Sequence, residues 1–580
     1  MDLMTLKGND LYLAFIAGAR KLIGKKDHLN KINVFPVPDG DTGTNMSYLM
    51  QTIINEAKPS DDLSLTMDSI ANAAITGSRG NSGIIISEYF NGLSEKLKGK
   101  KQAGIQDFKE AVTHAVNKAY EALMNPVEGT ILTVLRKAFN ILDHHDSFNS
   151  YFKTSLQQAK IALAETTEEL EVLKQNKVVD AGAEGFTAFL EGINYYLDTG
   201  DAEVPVAQAE VERDLDVHDM VVTERYCTEA LLINVNRTAD DLRALFNEDG
   251  SSLIVSGKQE KMRIHIHTDH PDLFFLKLRN YGQILDQKVD DMIRQQQSLL
   301  PDRPKIALVT DTIADIPEEF LDKYNIHQLP MSLMVDDVSY IDRFSISTDT
   351  FYELLKKAKS FSSAQPDKRT IERTFDFLSD HYDQILAITV SSKMSVTYNA
   401  LIQYQKTNPK LTVFDSRQNS GSQGLIVLNA ARLIASGAAM AKVIEVLENV
   451  AQRTKIFVSV KTLKYMVKQG RVSKVTGLAA KIMNLKPVIS IDGEGKGIIK
   501  EKALSLRKNQ KQIIKLIKEH PLEEYVVVHA LDPERALKLA NRIEEATGKK
   551  AAYITQISPI VAMNAGIGAV AAACVYQEEA

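Results

Sequence analysis

Apolar residues in the first two hundred positions recur at steps of three and four. Met46, Leu49, Met50, Ile53 and Ile54 fall on one helix face. The same period runs through Leu63–Ile75, Phe108–Leu123, Ile131–Leu142, Leu156–Leu173 and Gly185–Leu197. Glycine-rich punctuation separates several of these stretches, so this third of the chain is predicted to be all-α. Near Asp201 the period is lost. The acidic stretch Asp201–Asp219 reads as a linker. Beyond it the alternation is β-like at Ala230–Val235, Leu253–Val255 and Met262–Thr268, followed by a predicted helix Pro271–Asn280. This describes a small α+β module.

A second polar joint, Gln295–Lys305, carries Pro301 and Pro304. After it short apolar runs alternate with helical stretches: Ile306–Val309, Ile385–Val390, Leu411–Phe414, Ile456–Val460, Pro487–Ile491 and Tyr525–His529. Such alternation predicts an α/β fold with largely parallel pairing. The longest apolar run, Ile560–Tyr576, is interrupted by Asn564, Gly566 and Gly568. It is shorter than the ~20 residues a spanning helix needs, and reads as a buried strand plus a small-residue helix.

At 580 residues the chain exceeds one core, and about 150 residues per domain implies three or four domains. We place them at residues 1–200, 201–300 and 301–580. The net charge of -6 argues against a general nucleic-acid binder. Two cysteines, Cys227 and Cys574, make no disulfide framework. With no basic leader evident before an apolar stretch, a cytoplasmic protein without stable membrane insertion is expected.

The segment Asn33-Val34-Phe35-Pro36-Val37-Pro38-Asp39-Gly40-Asp41-Thr42-Gly43-Thr44-Asn45-Met46 carries the sharpest chemistry. Its prolines forbid a helix, and its glycines allow tight turning. Asp39 and Asp41, offset by two, can reach one hard cation. The start of the following helix offers N–H groups to phosphate oxygens. The same residues also suit a plain acidic turn capped by Thr44 or Asn45. Further small-residue turns open helices at Gly77–Gly83, Asn125–Thr130 and Val178–Gly185. The first of these follows a helix, so it is neither a dinucleotide fingerprint nor a P-loop. Four such turns suggest helix ends converging on one anionic ligand.

Together these segments resemble the nucleotide-binding subunit of dihydroxyacetone kinases, and more closely the kinase domain of bacterial fatty acid kinase. The resemblance covers about residues 5–200. It implies an all-α helical barrel holding ATP and Mg²⁺ at one rim. Asp39 and Asp41 would be metal ligands; Thr42, Thr44, Asn45, Ser82 and Gly83 would touch phosphates; Thr130 and Asp180 would lie near the nucleotide. The family's third metal aspartate falls at Val34, and the neighbouring Asn33 would substitute for it.

In the middle module His265 and His267 share one face of a strand, and Cys227 supplies a thiol nearby in sequence pattern. Cys/His/His with one open position suits zinc, whereas spacing alone favours paired surface histidines. The fatty acid kinase middle domain has a similar Tyr-Cys-Thr-Glu and His-x-His-Thr pairing, which implies a structural Zn²⁺.

From Ile306 onward the chain resembles the DegV family, a two-lobed α/β fatty acid carrier. The matching pieces are Val309–Asp315, Ser363-Ala364-Gln365-Pro366, Ser391–Tyr398, Asp415-Ser416 and Gln469-Gly470-Arg471-Val472-Ser473. By this resemblance Ser363 and Ser395 would hold an acyl carboxylate at a tunnel mouth. Asn564 stands where the family has histidine. Each serine taken singly is also an ordinary helix cap.

The fusion implies transfer of the ATP γ-phosphoryl group to a fatty acid carboxylate, within phospholipid metabolism. Arg471 is a candidate cation for the transferring group or for domain docking. Alternatives are a dihydroxyacetone kinase-like reaction on a small hydroxylated metabolite, and a non-catalytic lipid-binding sensor. Partners expected besides the fatty acid are a second copy, a separate DegV-type carrier or an acyltransferase.

Overall fold

A computed structural model describes residues 3–141, 145–205, 222–469 and 486–578. It forms two compact units, residues 1–300 and 301–580.

The first unit opens with helices around one apolar core. Gly8–Ile23 lies along Ala181–Thr199. A Cβ on Gly192 would sit 2.3 Å from the Ala17 carbonyl oxygen, so glycine sets this close approach. Phe15, Phe90, Phe186 and Phe189 fill the centre with edge-to-face, tilted and stacked ring contacts. Side-chain caps fix several helix starts: Asp62 accepts from Ser64 N at 2.9 Å, and Asp180 from Ala183 N at 2.7 Å.

Two predicted turns are shorter than the sequence suggests. The helix expected near Met46 begins at Thr42, with Asp41 rather than Thr44 or Asn45 at the cap position. The helix expected at Ile84 begins at Gly80, leaving Ser78 and Arg79 as the turn. Gly80 has φ +61°, and a Cβ there would meet Asn45 Nδ2 at 2.6 Å. Small polar residues in a first helical turn carry no apolar period, which is why the pattern starts late.

An antiparallel sheet then packs on these helices, in the order Ser251–Lys258, Lys261–Thr268, Tyr226–Ile233, Gln283–Asp291. Ala230, Leu232, Ile264 and Ile266 are buried on one face. The other face meets helices Leu63–Gly77 and Gly80–Leu97. There Glu88 accepts from Ser256 Oγ (2.7 Å) and Gly257 N (3.1 Å), and Arg263 donates to the Thr76 carbonyl (2.9 Å).

The second unit has two larger sheets. One is parallel, ordered Leu411–Asp415, Gln384–Thr389, Ile306–Asp311, Ile326–Leu329. The other is ordered Gly497–Glu501, Val488–Ile491, Thr454–Ser459, Val570–Tyr576, Leu522–His529, Ile554–Gln556. Only its last pair is parallel. The expectation of largely parallel pairing therefore holds for one sheet and fails for the other. Runs buried on both sides look alike whichever way they pair. Helix Ser420–Ala435 is buried nearly all round, as a helix in the core must be. The run Ile560–Tyr576 resolves into helix Pro559–Ala565 and strand Val570–Tyr576. Among the described residues no helix is long and apolar enough to cross a membrane.

Candidate functional site

In the first unit the proline-flanked loop is braced from within. Asn33 Oδ1 accepts from Thr42 N (2.8 Å), and its amide donates to the Val37 carbonyl (3.1 Å). Asn30 clasps Thr44, accepting from its N–H (3.0 Å) and donating to its hydroxyl (2.9 Å). Asn33, Thr42 and Thr44 thus hold the loop in shape, and two of the first-turn amides are already satisfied. Asn45 bonds the Asp41 carboxylate.

Asp39 and Asp41 stand close enough to repel each other electrostatically. Burial, then Asp41, raises the Asp39 carboxyl well above its ordinary value, with Lys288 opposing. Burial also raises Asp41, again against Lys288. Two desolvated carboxylates of this kind are what a hard divalent cation would relieve.

Lys288 comes from the middle sheet. Its Nζ lies 2.9 Å from Asp290, 3.6 Å from Glu229 and 3.9 Å from Asp41. Burial would discharge it, but these carboxylates raise its pKa well above the ordinary range. Register explains the cluster: Cys227 pairs with His267 and Asp290, and Glu229 with His265 and Lys288. Directly opposed residues share a face, so one polar grid faces the helices. In this grid the thiol of Cys227 and one ring nitrogen each of His265 and His267 lie within 4.8 Å of one another, all buried. Cys227 Sγ is 3.8 Å from His265 Nδ1, and His265 Nε2 is buried without a hydrogen-bond partner among the described residues. Burial, then His265, pushes His267 down to about 3. A soft thiol and neutral imidazoles suit a borderline-soft ion such as zinc.

Beside the loop is a cavity of about 280 Å³. Asn81, Ser82, Thr130 and Asp180 give it polar groups; Ile85, Met124, Val127, Leu132, Leu253 and Ile254 give it an apolar wall. Thr130 caps helix Ile131–Phe139 through Leu132 N (3.3 Å). Burial lifts the Asp180 carboxyl to about 6. Ser82 approaches Gly182 so closely that a Cβ there would meet its Oγ at 2.5 Å. Gly83 is buried beside the Asn45 carbonyl and does not line the cavity. Sequence reasoning missed Lys288, Asp290, Glu229 and the wall from Ser252 to Ile254. The polar strand Gln283–Asp291 shows no apolar alternation, but Cys227 and Glu229, offset by two on a strand, were a usable signal.

In the second unit a cavity of about 100 Å³ joins Ser363, Ser395 and Asn564. Ile313, Met331, Val390, Val458, Ile489 and Val561 supply apolar walls. Ser395 Oγ bonds Thr397 Oγ1 (2.8 Å), and Asn564 donates to the Ile560 carbonyl (2.8 Å). Asp311 ties two walls together, accepting from Val390 N (2.8 Å) and Ile313 N (3.2 Å). Asp315 accepts from Ser558 N (2.7 Å), at the cap of the helix bearing Asn564, and from Arg343 (2.5 Å). Arg471 lies outside the described residues.

Comparison with known families divides the chain three ways. Residues 36–195 match the DAK2 domain, 223–299 the FakA-like middle domain of fatty acid kinase, and 305–577 the DegV family of uncharacterised proteins. Protein YloV of Bacillus subtilis is 31% identical over 334 residues, covering 53% of this chain and 59% of that protein. An uncharacterized protein of Staphylococcus epidermidis is 33% identical over 303 residues, covering 49% and 55%. The matched part thus spans little more than half the length of these relatives. Among solved structures, DegV from Bacillus subtilis, described as a fatty acid binding protein, superposes with a TM-score of 0.44 at 24% identity, covering 47% of this chain and 100% of that one. A fatty acid binding DegV family protein of Streptococcus agalactiae gives 0.44 at 23%, with the same coverage.

Proposed function

For a chain carrying in succession a DAK2 domain, a FakA-like fatty acid kinase middle domain and a DegV domain, we propose an ATP-dependent kinase. Its acceptor is a fatty acid carboxylate held by the chain's own DegV domain, and its products are an acyl phosphate and ADP. The observation that carries this reading is the cavity beside the acidic loop, where Asn81, Ser82, Thr130 and Asp180 face an apolar wall. A purine would take the wall, and the triphosphate the polar groups, with Asp39 and Asp41 in the loop that supplies Phe35 and Pro36 to the cavity.

Those two carboxylates would hold Mg²⁺, which offsets the charge of the triphosphate. Ser82, at the start of its helix, presents a hydroxyl to phosphate, and the braced loop keeps the acidic pair fixed before substrate arrives. A fatty acid with a pKa of roughly 4–5 is ionised at neutral pH and needs no general base. In the second unit Ser363 and Ser395 can hydrogen-bond that carboxylate without neutralising it, with Asn564 at the same cavity. Cys227, His265 and His267 would hold a structural Zn²⁺ within the middle sheet.

The test begins with mass spectrometry of small molecules that co-purify with the full chain. ADP release on adding Mg²⁺, ATP and oleate or palmitate, with acyl phosphate trapped as the hydroxamate, is the expected result. ADP release with dihydroxyacetone but not with fatty acids would overturn the choice of acceptor. No turnover with either would overturn the kinase.

A further inference from the structure

Glu229 sits at a junction that the reaction above does not use. Its side chain is fully buried. One oxygen, Oε1, accepts from the Gly80 backbone N–H at 2.7 Å, lies 3.3 Å from His265 Nδ1 and is 3.6 Å from Lys288 Nζ. The other, Oε2, is buried without a hydrogen-bond partner among the described residues. Burial opposes ionisation, yet Lys288 and His265 hold this carboxyl well below its ordinary range. A charged acceptor thus caps the helix that presents Asn81 and Ser82 to the cavity.

We propose that Glu229 couples occupancy of the Cys227/His265/His267 centre to nucleotide binding through its hold on the Gly80 amide. His265 Nδ1 is 3.8 Å from Cys227 Sγ. That separation suits two ligands on one tetrahedral ion with bonds of about 2.0 and 2.3 Å. Zinc held there would need Nδ1 unprotonated, with the imidazole proton on Nε2 instead, so His265 would no longer donate to Glu229. Among the described residues the carboxylate then keeps the Gly80 N–H and the charge of Lys288, and tightens on the helix start. Asn45 packs beside the Gly80 Cα, where a Cβ would meet its Nδ2 at 2.6 Å. The metal centre thereby orders the turn that lines the cavity, and nucleotide binds more tightly when it is filled. By linkage, nucleotide strengthens the hold on metal by the same factor.

This inference rests on the cavity being a nucleotide site, and the experiment separates the two. The full chain is prepared zinc-loaded and chelator-stripped, and each form is titrated with Mg-ATP by calorimetry. The zinc-loaded wild type is expected to bind about 10-fold more tightly, within the usual range of coupling between sites. Glu229→Gln should bind nucleotide with less than about a 2-fold difference between forms. Because that variant can fail to fold, zinc affinity of the wild type is measured with and without Mg-ATP. The same factor should appear there. Equal affinities of the two wild-type forms, or a coupling that survives Glu229→Gln, overturn the proposal. No nucleotide binding by either form overturns the kinase reading instead.

Discussion

Lys288 Nζ lies 3.9 Å from Asp41 Oδ2, joining a cation of the middle sheet to the acidic loop of the helices. The lysine is almost wholly buried and is surrounded by Asp290, Glu229 and Asp41. Breaking a buried ion pair by removing one partner strands the other charge, at about 3–5 kcal/mol. Lys288→Met is therefore expected to destabilise the first unit by that order, read as a fall in the midpoint of its denaturant transition. Lys288→Arg should lose less, since it keeps the charge. An unshifted midpoint for Lys288→Met would show that the cluster does not stabilise the fold.

Asp39→Ala and Asp41→Ala address the chemistry. Each is expected to abolish ADP release while leaving co-purified lipid in place, because Ser363, Ser395 and Asn564 lie in the other unit. Full activity in both variants would remove the metal assignment.

The helical and strand periods were legible where one face is apolar and the other polar. The site was legible as far as local sequence reaches: Asp39 and Asp41 in one loop, His265 and His267 on one strand. Its remaining members depend on register. Lys288 and Asp290 meet Glu229 and Cys227 only because two strands far apart in sequence pair antiparallel, and no local pattern encodes that. Asn33 and Thr44 were read for ligand chemistry; in the structure the Asn33 amide also bonds Thr42 N and the Val37 carbonyl, and the Thr44 hydroxyl also accepts from Asn30. Short polar side chains satisfy backbone groups as readily as they bind ligands.

The Cys/His/His centre predicts a metal stoichiometry. After incubation with zinc and removal of excess, the wild type should retain about one ion per chain, and Cys227→Ser or His267→Ala far less, because three ligands hold a borderline-soft ion where two do not. Elemental analysis reads this directly. Equal zinc in all three proteins would place the ion elsewhere.

Asp342 gives the second unit a pH dependence. Burial pushes its carboxyl up to about 7 from 3.8, against the charge of Arg343. Between those values the folded chain keeps a proton that the unfolded chain has lost. This contribution to stability is complete below the unfolded value and disappears as pH rises through about 7. Asp342→Asn removes the dependence. Its stability relative to wild type should therefore rise between about pH 5 and pH 8, by up to a few kcal/mol. Urea midpoints at the two pH values check this, and a constant difference between the proteins would contradict it.

The second unit's cavity makes the last prediction. Val458 lies on strand Thr454–Ser459 and lines it together with Ile489 and Val561. Close-packed walls accept extra volume only by strain or by filling empty space. An indole in place of Val458 would occupy the cavity that joins Ser363, Ser395 and Asn564. Val458→Trp should thus lose co-purified fatty acid and acid-dependent ADP release. Mg-ATP binding should be unchanged, because the cavity proposed to take the nucleotide belongs to the other unit. Lipid analysis and calorimetry on the same preparation distinguish this from general unfolding, which would abolish both. Retention of fatty acid by a folded Val458→Trp would place the acyl chain outside this cavity.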